Sequence, residues 1–255
     1  MSNYKIPKVI HYCWLSNDPL PQKLANCIET WKKYCPDYEI LNWNFERLGN
    51  HCPIWVKQAF ETKKYAFAAD WVRAFVLYNY GGIYLDSDVE ILKPLDNLLD
   101  NAYVLSFEAN SHETIEAAVM MAAPGMPFFK DLLSYYDGRR FKRQDGTLDT
   151  YPLPRIINEI CKKKYHLKSI KSPAGYKLIN GDENIINVLP AEYFSPKSLT
   201  TGKISLTDNT YTIHHFAGSW LSRWAKIRIY LTKKIGLKNV IRLSKIKRIF
   251  IDLKF

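Results

Sequence analysis

The sequence predicts an α/β domain in which helices flank a sheet built from βαβ units. Over the first 100 residues, short apolar segments alternate with longer segments of helical periodicity, which is typical of parallel strands joined by crossover helices. The chain has 255 residues, of which 47% are hydrophobic and 14% aromatic, so it can bury a large core. It shows no internal repeat and no low-complexity tract.

The first half of the chain predicts three strands and two helices. Residues 6–15 and 38–44 are short and rich in β-branched and aromatic residues, and apolar residues at helical spacing predict a helix over 20–35. Residues 53–82 are predicted as one long helix that ends at Gly81-Gly82, and IYLDSD follows as the third strand. The remaining predictions are strands at 101–109 and 117–124 and helices at 127–136 and 155–164.

The stretch YNYGGIYLDSDVEIL (78–92) places Asp86 and Asp88 directly after the third strand. Ligands of open α/β sheets bind beyond the carboxyl ends of the strands, which is where both carboxylates are expected. Two carboxylates this close repel each other, and a bound Mg²⁺ or Mn²⁺ makes the arrangement favourable. Such an ion can neutralise a leaving diphosphate. A strand end followed by a solvated loop is the structural alternative.

Three other stretches favour a functional interpretation of this pair. His11 and Trp14 lie in the first strand region. Asp70 and Arg73 stand three residues apart on one helix face, where they could equally form a surface ion pair. Residues 213–220 (IHHFAGSW) place two histidines before a small-residue turn and a tryptophan.

Together these residues resemble the retaining glycosyltransferases of GT-A fold that carry a sugar-binding region with a DXD motif. That family includes capsular polysaccharide enzymes and yeast initiating mannosyltransferases, with the clostridial glucosylating toxins as distant relatives. The matching elements, in the family's order, are I-P-K-x-I-H-x-x-W at 6–14, A-A-D-x-x-R at 68–73, Y-G-G-x-Y-x-D-x-D at 80–88 and H-x-x-G-S-W at 215–220. The resemblance implies a GT-A domain over 1–222, a Rossmann-like mixed sheet flanked by helices. Residues 223–255 mix aliphatic residues with Lys and Arg and are predicted as a C-terminal basic helical extension.

The resemblance also implies roles for the donor-site residues. Trp14 would stack on the nucleotide base, with a buried strand aromatic as the alternative. Asp70 and Arg73 would bind hydroxyls of the donor sugar and the diphosphate. Tyr84 would line the nucleotide pocket, although a tyrosine that points into the core fits the pattern nearly as well.

For the metal, the resemblance implies that Asp88 binds the ion directly, while Asp86 contacts ribose, sugar or the ion through water. The resemblance to enzymes with H-F-x-G before a tryptophan favours His215 as the third ligand. Only one of His215 and its neighbour His214 can face the site, because successive strand side chains alternate. A neutral imidazole suits Mn²⁺ better than Mg²⁺.

Further contacts are expected from the second half of the chain. Ser219 and Trp220 would close over the diphosphate, with the indole N–H as donor. Asp182 and Asn184 are candidates for contacts to the donor sugar or acceptor, or for a solvated turn. Residues 150–158 (TYPLPRIIN) depart from the Thr-Gly-Pro stretch found near the acceptor in many relatives, so the acceptor is not predicted from motifs.

The expected reaction transfers a hexose from a nucleotide diphosphate sugar to a glycan, lipid-linked in the favoured interpretation, during synthesis of surface polysaccharide. A UDP-sugar is favoured as donor, with GDP-mannose as the other choice, and the anomeric configuration is retained. Two alternatives stay open. D-x-D-x-V also fits the haloacid-dehalogenase phosphatases, in which Asp86 would be the nucleophile and Asp88 the acid/base. A binding module without turnover is the second.

The net charge of +11 is concentrated in the tail. Residues 221–255 hold eleven of the 36 Lys and Arg residues and one of the 25 acidic residues. This distribution argues against a nucleic-acid binder, and it favours an amphipathic segment that binds an anionic membrane surface or packs on the domain. Without an apolar leader or a spanning segment, and with five cysteines in no C-x-x-C pair, the expected location is cytoplasmic, peripheral on the inner face of the membrane.

Overall fold

The computed structural model describes residues 5–16, 18–49, 52–109, 113–178, 184–198 and 201–218, together with 227, 230–232 and 234. Nine strands follow one another along these residues: β1 (Val9–Cys13), β2 (Glu39–Trp43), β3 (Gly82–Leu85), β4 (Val89–Ile91), β5 (Tyr103–Val104), β6 (Val119–Ala122), β7 (His166–Ser169), β8 (Ile185–Val188) and β9 (Thr212–His214).

The main sheet is mixed and has the strand order β2-β1-β3-β6-β5. Strand β1 runs parallel to both β2 and β3, so the βαβ connection predicted from the sequence is present. Strand β6 is antiparallel to β3, and β5 is antiparallel to β6. The carboxyl ends of β1, β2, β3 and β5 therefore lie at one edge of the sheet, where ligands of open α/β sheets bind.

Between residues 22 and 164, six helices flank the sheet: α1 (Gln22–Tyr34), α2 (Phe45–Leu48), α3 (Ile54–Glu61), α4 (Tyr65–Asn79), α5 (Pro127–Ser134) and α6 (Leu153–Lys164). The two faces of β3 separate two apolar clusters. Tyr84 belongs to the cluster that contains α3, α4, α5 and α6, whereas Ile83 and Leu85 belong to the one that contains α1. The predicted α/β class, with a mixed sheet between helices, is confirmed.

The prediction of one long helix over 53–82 is wrong, because the chain turns between α3 and α4. Lys63 adopts a φ of +57°, and its N–H donates to the Phe60 carbonyl at 2.9 Å. The Lys64 N–H donates to the Ala59 carbonyl at 2.8 Å. This pair of bonds is the Schellman closure of a helix, which glycine usually provides. Lysine occupies the left-handed position here, so the sequence carries no glycine signal for the break.

The Gly81-Gly82 pair lets α4 turn directly into β3. The φ angles are +66° and +99°, a region that disfavours residues with a Cβ. A Cβ on Gly82 would lie 2.7 Å from the carbonyl oxygen of Val9 in the neighbouring β1. The close approach of β1 and β3 therefore requires glycine at this position.

His11 of β1 contacts the same turn through its imidazole ring. Its Nε2 lies 2.8 Å from the Gly81 carbonyl oxygen, and its Nδ1 accepts from the Trp43 indole N–H at 3.0 Å. Burial lowers the His11 pKa to about 4, so the ring is neutral at physiological pH. This motif histidine thus has a structural role in joining β1, β2 and the α4–β3 turn.

A two-stranded ribbon of β4 and β9 lies outside the main sheet. Its antiparallel register pairs Val89 with His214. This pairing places the histidine segment next to the end of β3. Among the described residues, no helix combines the length and apolar character needed to cross a membrane. Almost all of the basic tail lies outside the described residues.

Candidate active site

Asp86 and Asp88 lie at the carboxyl end of β3, as the sequence predicted. The Asp86 N–H donates to the Ala118 carbonyl at 2.9 Å, which extends the β3–β6 pairing by one residue. The Asp88 carboxylate accepts from the Ala217 N–H at 2.6 Å, and its backbone carbonyl accepts from the His215 N–H at 3.0 Å. Backbone hydrogen bonds from two separate segments therefore set the positions of both aspartates.

His214 completes a three-residue cluster with these aspartates. Its Nε2 lies 3.5 Å from Asp88 Oδ1, and one ligand atom from each of Asp86, Asp88 and His214 lies within 4.8 Å of the others. His215, by contrast, points to Glu90, with Nε2 2.8 Å from Glu90 Oε2. The structure thus places His214, and not the favoured His215, beside the aspartates. As strand alternation predicts, only one of the two histidines faces the aspartates, and the β4–β9 register determines which one.

The donor set of this cluster fits a divalent cation. Metal–oxygen and metal–nitrogen bonds are about 2.0–2.6 Å long, so ligand atoms of one ion lie up to about 5 Å apart. Two carboxylates with one imidazole suit Mn²⁺ and related ions. Side chains of Asp88 and His214 are only 12% and 13% exposed, so water screens their charges weakly. A cation would compensate the buried negative charge.

Burial and neighbouring charged side chains set the pKa values of His214 and Asp86. Burial opposes the charged form of His214, but Glu116, Asp88 and Asp86 together raise its pKa to about 9. Burial raises the pKa of Asp86, Arg73 opposes this rise, and Asp88 adds to it. Without a cation, His214 is therefore protonated at neutral pH and supplies the positive charge itself.

Arg73 of α4 links Asp86 of the cluster to Asp70 through ion pairs. Its Nη2 is 3.2 Å from Oδ1 of both Asp70 and Asp86, and its Nη1 donates to the Ala117 carbonyl. The Arg73 side chain is 5% exposed, so the Asp70–Arg73 pair is a buried bridge to the aspartate cluster rather than a surface ion pair. Burial raises the Asp70 pKa to about 7 in spite of Arg73.

Tyr84 lies beneath Arg73 rather than in an open pocket. The guanidinium carbon is 4.7 Å from the centre of the Tyr84 ring, a cation–π distance, and Tyr84 is 1% exposed. The structure therefore contradicts the expected place of Tyr84 in the nucleotide pocket. It favours the alternative of a tyrosine that points inward, here supporting Arg73 from below.

Trp14 follows β1 and borders a cavity of about 360 Å³ at the same edge of the sheet. Its indole N–H donates to the Asp18 carbonyl at 2.9 Å, and its backbone N–H donates to the Asn42 side chain at 3.1 Å. The cavity is also lined by Asn44 and Phe45. A half-buried indole beside polar groups is suitable for stacking a base, and that role stays a prediction.

Glu116 is a site residue that the sequence analysis missed. Only 4% of it is exposed, its Oε1 accepts from the Ala118 N–H at 2.9 Å, and the same oxygen lies 3.3 Å from His214 Nδ1. No motif marks this residue. The available signal was its place directly before a predicted buried strand, where an acidic side chain requires a partner.

Of the remaining predicted residues, the structure describes only Asn184. Ser219, Trp220 and Asp182 lie outside the described residues. Asn184 immediately precedes β8 and borders a separate cleft with Asp131 and Lys164.

Residues 21–105 match the protein family described as "Glycosyltransferase sugar-binding region containing DXD motif". This segment includes Asp70, Arg73, Asp86 and Asp88. The predicted resemblance to the DXD glycosyltransferases is thereby confirmed for the part of the chain that carries the aspartates.

Individual relatives extend the comparison. The chain is 36% identical over 127 residues to inositol phosphoceramide mannosyltransferase 3 of Schizosaccharomyces pombe. The aligned segment covers 48% of this chain and 35% of that protein. An uncharacterized glycosyltransferase of Acanthamoeba polyphaga mimivirus is 25% identical over 90% of this chain and 89% of its own length. A solved structure, a glycosyltransferase involved in glycosylation of the major capsid of PBCV-1, gives a TM-score of 0.43 at 12% identity over 83% of this chain and 94% of that one. The match spans about a third of the fission yeast enzyme.

Proposed function

We propose that the protein is a divalent-metal-dependent glycosyltransferase that moves a hexose from a nucleotide diphosphate sugar to a glycan or glycolipid hydroxyl with retention of configuration. One observation carries the proposal. Asp86, Asp88 and His214 converge at the carboxyl end of β3, and their ligand atoms lie within 4.8 Å of one another. The family match over 21–105 supports the same class.

The three converging side chains would hold the cation, with His214 in the place first expected for His215. Bound there, the cation would supply Lewis acidity toward the leaving diphosphate. The protein's own part is to keep the carboxylates oriented. Asp86 is fixed between the Ala118 carbonyl and Arg73, and Asp88 is fixed by the Ala217 N–H.

Asp70 would bind the sugar side of the donor, and Arg73 would hold it in position. The guanidinium of Arg73 is shared between two carboxylates, so its charge is largely compensated and its main effect is to hold them in place. With a pKa raised to about 7, Asp70 can either accept or donate a hydrogen bond to a sugar hydroxyl. Such contacts select the sugar rather than the nucleotide.

The donor and acceptor classes rest on the relatives. Several of them are named for mannosyl transfer to inositol phosphoceramide or for mannosyl phosphorylinositol ceramide synthesis, which supports GDP-mannose and a glycolipid acceptor here. A UDP-sugar, which the sequence analysis favoured, becomes the second choice. With a lipid acceptor, the basic tail would hold the enzyme at the inner face of the membrane, and vesicle flotation of chains with and without residues 225–255 tests this placement.

A donor panel tests the proposal. Purified protein is incubated with GDP-mannose and UDP-hexoses in Mn²⁺, and release of nucleoside diphosphate is measured with and without EDTA. We expect metal-dependent release from one donor, lost in Asp88→Asn and retained in Asp137→Asn, a control that changes an exposed carboxylate. Binding of nucleotide without release, even with a glycolipid acceptor present, would point to a binding module. Phosphate release from a generic ester alone would overturn the transferase.

A further inference from the structure

A buried carboxylate lies directly behind the imidazole of the aspartate cluster. Nε2 of His214 faces Asp88 at 3.5 Å, and Nδ1 on the other side of the ring faces Glu116 Oε1 at 3.3 Å. The histidine ring therefore lies between the carboxylates of Glu116 and Asp88, with one ring nitrogen near each.

Only one oxygen of the Glu116 carboxylate has a hydrogen-bond partner among the described residues. Its Oε1 accepts from the Ala118 N–H, whereas its Oε2 is buried and has no hydrogen-bond partner among the described residues. His214 Nδ1 also has no aligned hydrogen bond within the part of the chain that the structure describes, although it is at ion-pair distance from Oε1. A carboxylate that is 4% exposed is costly to bury unless it is paired, and His214 is the charged partner at ion-pair distance from Glu116.

We propose that Glu116 is a positioning residue that orients His214 and sets the metal affinity of the cluster. By accepting the Nδ1 proton, Glu116 keeps the Nε2 lone pair directed at the aspartates. A histidine ligand that donates its other N–H to a carboxylate is both fixed in orientation and made more basic. This inference rests on the proposed function, and it adds a residue from the segment before β6 to the site.

The neighbouring Glu90–His215 pair offers a matched control. It has the same two residue types, at 2.8 Å, with Glu90 in β4 and His215 directly after β9. Its histidine, however, lies outside the cluster of ligand atoms. Replacing Glu90 therefore removes an equivalent Glu–His contact without changing the environment of Nε2 in His214.

The test is Mn²⁺ binding to the full chain, measured by calorimetry and by electron paramagnetic resonance of free Mn²⁺, for wild type, Glu116→Gln and Glu90→Gln. We expect Glu116→Gln to weaken Mn²⁺ binding by about 10- to 100-fold, the usual cost of losing such a partner. Glu90→Gln is expected to bind within about twofold of wild type. Circular dichroism checks that each variant is folded.

The outcomes separate the two proposals. Wild-type protein that binds no divalent cation would sink the proposed metal-dependent function. Wild-type binding that is unchanged in a folded Glu116→Gln protein would overturn the role of Glu116 and leave the function standing. If Glu116→Gln does not fold, heteronuclear NMR of histidine-labelled wild type with Zn²⁺ decides. The role of Glu116 then requires a protonated Nδ1 and a metal-bound Nε2 at His214, and the reverse pattern would overturn it.

Discussion

Metal binding to the Asp86–Asp88–His214 cluster is expected to compete with a proton. The His214 pKa of about 9 means that roughly 1% of the rings are neutral at pH 7 in the metal-free protein. A cation must displace that proton before it can bind Nε2. The displacement costs about 2.7 kcal/mol at pH 7, since each pKa unit corresponds to about 1.36 kcal/mol.

The sign of the effect follows from this competition. As pH rises toward 9, less work is needed to remove the proton, so the apparent Mn²⁺ affinity should rise about tenfold per pH unit between pH 6 and pH 8. Calorimetry in buffers of different ionisation enthalpy should show about one proton released per ion at pH 7. His214→Asn should bind Mn²⁺ more weakly and lose most of this pH dependence.

His215→Asn is the matched control for this prediction. Its ring pairs with Glu90 outside the cluster, so both the affinity and the pH dependence should stay close to wild type. Competition between Mn²⁺ and the His214 proton is refuted if Mn²⁺ binding to the wild type is independent of pH and releases no proton. It is refuted equally if His215→Asn, and not His214→Asn, removes the pH dependence, because the ligand would then be the other histidine.

Three further substitutions test residues that position or border the site. Gly82→Ala places a Cβ 2.7 Å from a β1 carbonyl oxygen at a φ of +99°, so thermal unfolding should show a loss of about 1–3 kcal/mol. Arg73→Met leaves two carboxylates without their buried partner, and urea unfolding should show a loss of about 3–5 kcal/mol together with loss of donor turnover. Trp14→Ala should weaken nucleotide binding by the equivalent of about 1–3 kcal/mol, measured by titration with the free nucleotide, if its ring stacks on the base.

Controls for the two stability predictions exist in the same chain. Gly146 has a φ of +82° with nothing within 4 Å of a built Cβ, so Gly146→Ala carries the backbone strain without the collision and should be the milder change. Arg143 pairs with Asp149 at 3.0 Å but is 54% exposed, so Arg143→Met should cost less than about 1 kcal/mol. Equal losses within either pair would contradict the structural explanation. An unchanged nucleotide affinity in Trp14→Ala would assign Trp14 to packing alone.

The sequence predicted those parts of the site that depend on local patterning. The apolar segment before Asp86 and Asp88, the glycine pair and the i, i+3 spacing of Asp70 and Arg73 each follow from the periodicity of one element. For that reason the strand end, the aspartates and the helix face were placed correctly. Burial of the Asp70–Arg73 pair, in contrast, depends on how α4 packs against the sheet.

Features that depend on pairing between distant segments were harder to predict. Alternation showed that only one of His214 and His215 could face the aspartates, but the choice depends on the register of β9 against β4, which no local signal specifies. Glu116 was missed because its partner lies far along the chain in β9. The helix break at Lys63 was missed because lysine occupies a position that glycine usually marks.

The pairing of Val89 with His214 has a consequence for how the protein matures. Both aspartates and the main sheet precede residue 123, whereas the imidazole is contributed by a strand near residue 214. A chain interrupted before β9 would retain every strand of the main sheet yet lack His214. If the cluster binds a cation as proposed, that cation would join early and late segments of the domain much as a cross-link does, and it would oppose the separation of β9 from β4.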